Sequence, residues 1–267
     1  MKWTKQILYI LLFGVLMTSC SEYQLLLKSN DYNLKYEKAK EFYAAEEYSK
    51  AITLLQEVVP IFKGTSLAEE SLYLQAMTYF RQGDYLFAEH FFDQIVRTYP
   101  RNEHLKDCYF NRAFCFYMQS PSVKLDQSSS IQAIEAFDLF MDLYPNTAEA
   151  EEAQGYIDEL QDKLAYKAYL NAKLYYDLGS YLGNNYQSAI VTAENCLKEY
   201  PSNQHREELA FLILDSRFII AENSIEEKKD QRYRAVIDEY YNFLNDYPES
   251  KMKKKADEIF NKTQKHL

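Results

Sequence analysis

Thirty-four residues, Leu67 to Pro100, carry the pattern that most constrains this chain: LAEESLYLQAMTYFRQGDYLFAEHFFDQIVRTYP. Within them Ala76, Tyr79, Gly83, Tyr85, Ala88, Phe92, Ile95 and Pro100 have the spacing of two amphipathic helices. Ala76 and Tyr79 are three apart and share one face of a first helix, while Ala88, Phe92 and Ile95 share one face of a second. Gly83 marks the turn. A small residue in each helix lets the backbones cross closely, and the aromatics fill the space beside the crossing. Pro100, which cannot continue a helix, ends the second. Such a pair cannot bury its apolar stripe alone, so the pattern demands neighbours.

The neighbours are present. Ala39, Phe42, Tyr48, Ala51, Leu55, Val58 and Pro60 repeat the pattern upstream, with the proline early. Ala113 and Phe116 open a third unit that Ala133, Phe137, Phe140 and Pro145 close, after an insertion of eight residues from Ser120 to Gln127. A fourth runs through Ala172, Tyr175, Gly179, Tyr186, Ala189, Ala193, Cys196 and Pro201. A fifth runs through Ser216, Ile219, Tyr233, Val236, Tyr240, Phe243 and Pro248. Tyr-Pro pairs at Tyr99, Tyr144, Tyr200 and Tyr247 stop four successive second helices. The period, the small/aromatic spacing and the closing proline resemble tetratricopeptide repeats, with polar Gln75 standing where leucine is usual. The fold class expected is all-α, an α-solenoid of about five such helix pairs. A pattern without proline from Thr147 to Leu178 reads as one helix of roughly 48 Å bridging residues 32–146, repeats one to three, to residues 147–267, repeats four and five.

The N-terminus reads as a targeting segment. Lys2 and Lys5 precede an apolar run from Ile7 to Val15, and Leu16, Met17, Thr18 and Ser19 lead to Cys20. The run is too short to span a bilayer comfortably, and its flanks are those of a secretory signal over residues 1–19. The cysteine resembles a bacterial lipobox, which implies a lipidated Cys20 as the new N-terminus and a tether over residues 20–31. Loss of residues 1–19 removes two lysines, leaving 28 basic against 40 acidic side chains, a net charge of −12. That balance offers no footprint for nucleic acid, and attachment to a membrane falls to the acyl chains. Ser21 follows the cysteine where an inner-membrane retention signal would have aspartate, so the expected address is the outer membrane, facing the periplasm.

No catalytic constellation is visible: there is no Gly-rich phosphate loop, no G-x-S-x-G, no H-E-x-x-H and no C-x-x-C. The expectation is a protein without enzymatic activity, cofactor or small-molecule substrate. His90, His104, His205 and His266 are scattered, so no metal site is expected. Cys108 and Cys115, seven apart on one expected helix, lie roughly 10 Å apart, beyond disulfide reach. With Cys196 they read as small buried hydrophobes.

In tetratricopeptide repeats the first helix of each pair faces the concave surface. The Ala76 register then places Tyr36, Lys40, Tyr43, Tyr73, Met77, Phe80, Arg81, Phe110, Phe114 and Tyr117 in a partner-binding groove, with Tyr166, Tyr169, Lys173 and Tyr176 in the fourth unit. Exposed aromatics with a few basic groups suit an extended, apolar, aromatic-bearing segment.

The lipobox at Cys20, five repeats closed by Tyr-Pro, a length near 250, the SPS insertion at Ser120 to Ser122 and the AENS turn at Ala221 to Ser224 together resemble the BamD family. These are the tetratricopeptide-repeat lipoproteins of the β-barrel assembly machinery, and the likeness is to their Bacteroidota forms. The resemblance implies unfolded outer-membrane protein precursors as ligands of the N-terminal repeats. It also implies contact of the C-terminal repeats with the POTRA region of a BamA-like barrel subunit. Position in the last repeat marks Lys228, Lys229, Arg232 and Arg234, in a polar and basic turn from Glu226 to Arg234, with Arg217 nearby, as the candidate contact. The alternative is a periplasmic scaffold of the same architecture in another envelope complex, Tol or peptidoglycan associated.

Overall fold

The computed structural model describes residues 22–267; the signal segment over residues 1–19 and Cys20 lie outside the described residues. A short helix α1 covers residues 22–28. It is followed by α2 (Tyr32–Ala44), α3 (Tyr48–Phe62), α4 (Ala68–Gln82), α5 (Tyr85–Thr98), α6 (Leu105–Met118) and α7 (Ser128–Leu143). Then come α8 (Ala148–Leu178), α9 (Asn185–Glu199), α10 (Arg206–Glu222), α11 (Glu226–Asp246) and α12 (Lys253–Thr263), with a 3-10 turn over Gln264–His266. Among the described residues no strand forms, and the fold is an all-α, tetratricopeptide-like solenoid of five helix pairs, α2/α3 to α10/α11.

Each pair crosses where the sequence places small residues. Ala39 and Ala51, Ala76 and Ala88, Ala113 and Ala133, and Ala172 and Ala189 have no exposed surface. Ser216 takes the alanine position in the last pair and is equally buried. Gly83 closes α4 at φ 83°, a left-handed conformation that glycine adopts without steric cost. The second helices stop at tyrosine because its amide is the last donor to the helix: Tyr99 to Ile95 at 2.8 Å, and Tyr144, Tyr200 and Tyr247 to Phe140, Cys196 and Phe243 at 2.9 Å each. The proline that follows has no N–H to continue the ladder.

The second residue after each of these prolines starts the next helix. Asn102 and Asn203 accept from the amides of His104 and His205 at 2.8 and 2.9 Å, Thr147 from Ala150 at 3.2 Å, and Ser250 from Met252 at 2.9 Å. Asn102 also donates to Glu69 at 3.0 Å and Ser250 to Glu207 at 2.6 Å, tying each turn back to the start of the preceding first helix. The upstream repeat departs from this scheme. Pro60 does not end α3 but lies inside it, and the helix runs on to Phe62, with Gly64 at φ 83° two residues later.

Two compact units divide the described chain. The first holds residues up to Ser120 together with Ser128–Gln154; the second holds Pro121–Gln127 and Gly155–Leu267. This division falls inside α8, after Gln154. The insertion expected after α6 belongs to the second unit: buried Gln127 donates to the carbonyls of Ser122 and Leu125 at 3.0 Å, and Lys167 of α8 donates to Leu125 at 2.5 Å.

In the first unit the tether is docked. Tyr23, Leu26 and Leu27 pack on the core formed by Tyr36, Ala39, Ala51, Leu54, Leu55, Val58 and Phe62. The ammonium of Lys35, 2 % exposed, donates to the Leu27 carbonyl at 3.0 Å and pairs with Glu57. In the second unit α12 closes the stack: Ala256 and Ile259 bury against Leu214, Phe218, Tyr233 and Val236 of α10 and α11, and Phe260 stacks on Tyr240 at 4.4 Å.

Candidate functional site

The first helices α2, α4 and α6 carry the aromatic residues that the sequence assigns to a groove, and the structure brings Phe80, Phe114 and Tyr117 into one layer. Phe80 of α4 sits 5.8 Å from Phe114 of α6 and 5.7 Å from Tyr85; Phe114 sits 5.7 Å from Tyr117. Asn111 of α6 donates to the Met77 sulfur at 3.8 Å. Phe110 packs against Phe137 and Phe140 of α7 at 5.9 and 5.3 Å. Tyr43 meets Tyr48 at 5.9 Å. Tyr43, Met77, Phe80, Phe110, Phe114 and Tyr117 are half-buried, and Met77 and Phe80 pack against the core of the first unit. Tyr73 stacks flat on His104 at 4.0 Å, and burial together with the neighbouring Asp107 carboxylate pushes its phenol up, so it remains a donor at any physiological pH.

Two assignments, Tyr36 and Lys40, need revision or qualification. Tyr36 does not line a groove: it is 2 % exposed, with its ring edge-on to Phe62 at 5.5 Å inside the core. Its hydroxyl end lies near the Glu70 carboxylate of α4, and burial together with that carboxylate pushes its phenol up. Lys40 lies over the Tyr36 ring at 4.9 Å and is already paired with Glu37 at 2.7 Å. Arg81 is exposed at the end of α4 and is the open cation of the set.

The fourth repeat repeats the theme in the second unit. Tyr169 stacks on His205 at 4.1 Å, as Tyr73 does on His104, and Tyr166 lies 5.2 Å from the same imidazole. Tyr176 donates to Asp215, and burial with that carboxylate pushes its phenol up. Tyr169, Tyr176 and Asp215 line a cavity of about 230 Å³ with Lys173, Phe211, Met252 and Lys255. Tyr175, expected in the packing position, faces solvent instead. Its neighbour Tyr176 is half-buried, edge-on to Tyr186 at 5.7 Å, and the Tyr186 hydroxyl fills the space against Gly179, where an added Cβ would meet it at 2.8 Å.

The C-terminal basic residues are mostly neutralised where they stand. Arg217 pairs with Glu194 at 2.7 Å and Glu239 at 3.1 Å, Lys229 with Glu226 at 3.0 Å, and Arg234 with Asp230 at 3.0 Å; Arg232 donates to Ser224. Lys228 is exposed on the same stretch. The segment Glu226 to Arg234 is not a turn but the opening of α11, with Glu226 and Glu227 favourably placed in its first turn. Burial pushes the Glu239 carboxyl up, against the opposing pull of Arg217.

Sequence reasoning missed an apolar cluster at the end of α8. Leu174, Tyr175, Leu178, Tyr181 and Leu182 are exposed there, Leu182 by 91 % at φ 54°. The signal in the sequence is the longer turn between Gly179 and Tyr186. Among the described residues no group of three His, Cys, Asp or Glu side chains gathers as a metal site, and no helix is long and apolar enough to cross a membrane.

The family described as YfiO: Outer membrane lipoprotein matches residues 28–183 and 178–267. A curated relative from Rickettsia prowazekii, the outer membrane protein assembly factor BamD, is 25 % identical over 256 residues, covering 92 % of this chain and 94 % of its own. The factor of the same name from Caulobacter vibrioides is 26 % identical over 199 residues, covering 74 % of this chain and 62 % of its own. Among solved structures, TTC0263, a thermophilic TPR protein in Thermus thermophilus, aligns over 88 % of this chain and 98 % of its own at 14 % identity and a TM-score of 0.34. The TPR2AB domain of yeast Sti1 aligns over 87 % of this chain and 98 % of its own at 12 % identity and a TM-score of 0.38.

Proposed function

Because this chain belongs to the YfiO family of outer membrane lipoproteins, we propose that it is a non-enzymatic scaffold of outer membrane protein assembly, anchored through acyl chains on Cys20 at the periplasmic face. In this reading the aromatic layer of α2, α4 and α6 receives unfolded barrel precursors. The second unit meets the POTRA region of the barrel-forming subunit through the surface of Arg217 and the opening of α11.

The reading rests above all on the half-buried layer of Met77, Phe80, Phe114 and Tyr117, in which Met77 and Phe80 pack against the core of the first unit. A barrel strand alternates apolar and polar residues, carries aromatic girdles and offers its unpaired backbone. Rigid rings give such a strand contact area at low entropy cost, and they tolerate varied sequences because packing rather than hydrogen bonding supplies the affinity. Arg81, open at the end of the layer, suits the terminal carboxylate of a precursor; Lys40, held by Glu37, suits it less. On the second unit, Arg217 sits between two carboxylates, so an incoming acidic group competes with Glu194 and Glu239 rather than finding a bare cation.

The direct test is binding of a fluorescent peptide with the last strand of a barrel protein to the purified chain. Phe80→Ala combined with Phe114→Ala is expected to weaken binding about tenfold or more, and Arg81→Glu to weaken it further for a peptide with a free carboxylate than for its amide. Unchanged affinity in the double variant, with the helical content retained, would remove the layer as the precursor site.

A further inference from the structure

Between α1, α2 and the start of α3 lies an open pocket of about 520 Å³, lined by Tyr23, Leu25, Leu26, Leu34 and Phe42 and rimmed by Lys38, Lys50, Glu22 and Glu41. Nothing in the precursor-binding reading uses it. Two of its apolar side chains point to solvent, Leu25 by 68 % and Leu34 by 44 %. We infer that this pocket and its two leucines form a bilayer contact surface, seated at the headgroup–acyl boundary of the leaflet that holds the Cys20 lipid. The inference rests on the proposed lipidation of Cys20.

Chain length fixes the distance. Cys20 precedes Glu22 by two residues, and two residues span at most about 7 Å, so the point where acyl chains leave the protein lies within that reach of a residue lining the pocket. The pocket cannot swing away from the anchor either. The Lys35 ammonium grips the Leu27 carbonyl at 3.0 Å, Tyr23 packs edge-on to Phe42 at 5.6 Å, and the Asp31 amide donates to Ser29 at 3.0 Å, so the segment is a bracket rather than a loose leash. A surface held that close to the bilayer meets the interface, where apolar groups enter by about 5–10 Å.

The charge arrangement fits this neighbour. The chain from Cys20 onward is acidic, with 28 basic against 40 acidic side chains and a net charge of −12, which disfavours approach to anionic lipid. At the pocket, however, Lys38 is paired with Glu41 at 2.6 Å and Lys50 with Glu47, while the Lys50 ammonium lies 5.1 Å over the Phe42 ring. The rim is locally neutral, and its lysine stems add apolar surface that reaches toward the boundary.

The test uses the full lipidated chain, purified from cells and reconstituted into phosphatidylethanolamine–phosphatidylglycerol vesicles. An environment-sensitive fluorophore is placed on Leu25→Cys, Leu34→Cys or, as a control in the same unit, Leu86→Cys, which is also exposed. The native thiols Cys108, Cys115 and Cys196 are buried and do not compete for the label. Phospholipids carrying a nitroxide at acyl carbon 5 are expected to quench positions 25 and 34 by about twofold or more and leave position 86 unchanged. Lipidated, vesicle-bound protein with positions 25 and 34 unquenched overturns the inference and leaves the anchor standing. An emission shift that lipid nitroxides do not quench assigns the pocket to a protein contact and overturns it too. If the mass of the N-terminal peptide shows no lipid on Cys20, the anchoring reading fails first and the bilayer surface falls with it.

Discussion

Leucine in place of Ala88 inserts three carbons into a helix crossing with no free surface, and we expect a cost of about 1–3 kcal/mol, read as a lower Tm. The same residue-level logic sorts what the sequence made legible. The small crossing residues were visible because close backbone approach needs a small side chain in each helix, and that need recurs with the repeat. Tyr36 was not: its ring packs edge-on to Phe62 at the far end of α3 and beneath Lys40, contacts that the spacing within α2 does not announce. Tyr175 faces solvent although it stands three residues after Ala172 as the buried Tyr79 does after Ala76, and spacing alone does not separate the two.

Arg217 gives a pH-dependent prediction. Burial raises the Glu239 carboxyl and the guanidinium opposes that rise. In Arg217→Met the opposition is lost, so the folded state holds its Glu239 proton to higher pH than the unfolded chain does. Stability then falls as pH rises from the ordinary carboxylate range through the raised folded value. The variant is therefore expected to be most destabilised at neutral pH and to approach the parent near pH ~4–5, as denaturant midpoints at several pH values would show. Equal loss at all pH values would place the role of Arg217 in packing alone. Burial also pushes the Cys108 thiol up to about 12 and raises Cys115. The lipidated native chain should therefore leave an aromatic disulfide reagent unconsumed at pH 8 and yield its three remaining thiols on unfolding.

At the scale of elements, α1 and α12 are the two ends of the stack, and each covers an apolar face that an inner repeat would cover by its neighbour. Both lie outside the repeat pattern. The leucines of α1 were readable as apolar but not as docked, since Leu25, Leu26 and Leu27 stand in a row and only the structure separates the outward Leu25 from the inward pair. Truncation before Lys253 removes the contacts of Ala256, Ile259 and Phe260 and the Tyr240–Asp257 hydrogen bond of 2.7 Å. At roughly 1.5–3 kcal/mol for each large buried side chain, we expect a loss of several kcal/mol and an earlier unfolding transition. At the other end, Lys35→Ala leaves the Leu27 carbonyl and Glu57 without their partner. Hydrogen exchange over residues 22–28 should accelerate in that variant while α4 and α5 keep their protection; unchanged exchange would mean that the leucines alone hold the tether.

Over the whole molecule, the repeat architecture was legible from sequence to within a few residues of each helix, because helix pairs interact only with their neighbours and local spacing determines local packing. The extra legibility at the turns came from tyrosine and proline, whose roles are backbone roles. The candidate site was legible less completely. Its residues were chosen by register, and register identifies a face but not which rings lean into it; the layer of Met77, Phe80, Phe114 and Tyr117 emerged from contacts between first helices of different repeats. The basic residues of the last repeat were countable in sequence, but their ion pairs with Glu194, Glu239, Glu226 and Asp230 were not.

Reception of barrel precursors by the aromatic layer of the first unit, on a chain anchored through Cys20, is best tested in the cell. A benzophenone amino acid at Phe80, with Cys20 intact, is photo-crosslinked in living cells, and the captured proteins are identified by mass spectrometry. Nascent outer-membrane barrel proteins are expected to dominate the adducts, and the same probe at Leu86, on the second helix of that pair, is expected to capture few of them. Adducts made up of other envelope scaffolds, with barrel precursors absent, would contradict this function.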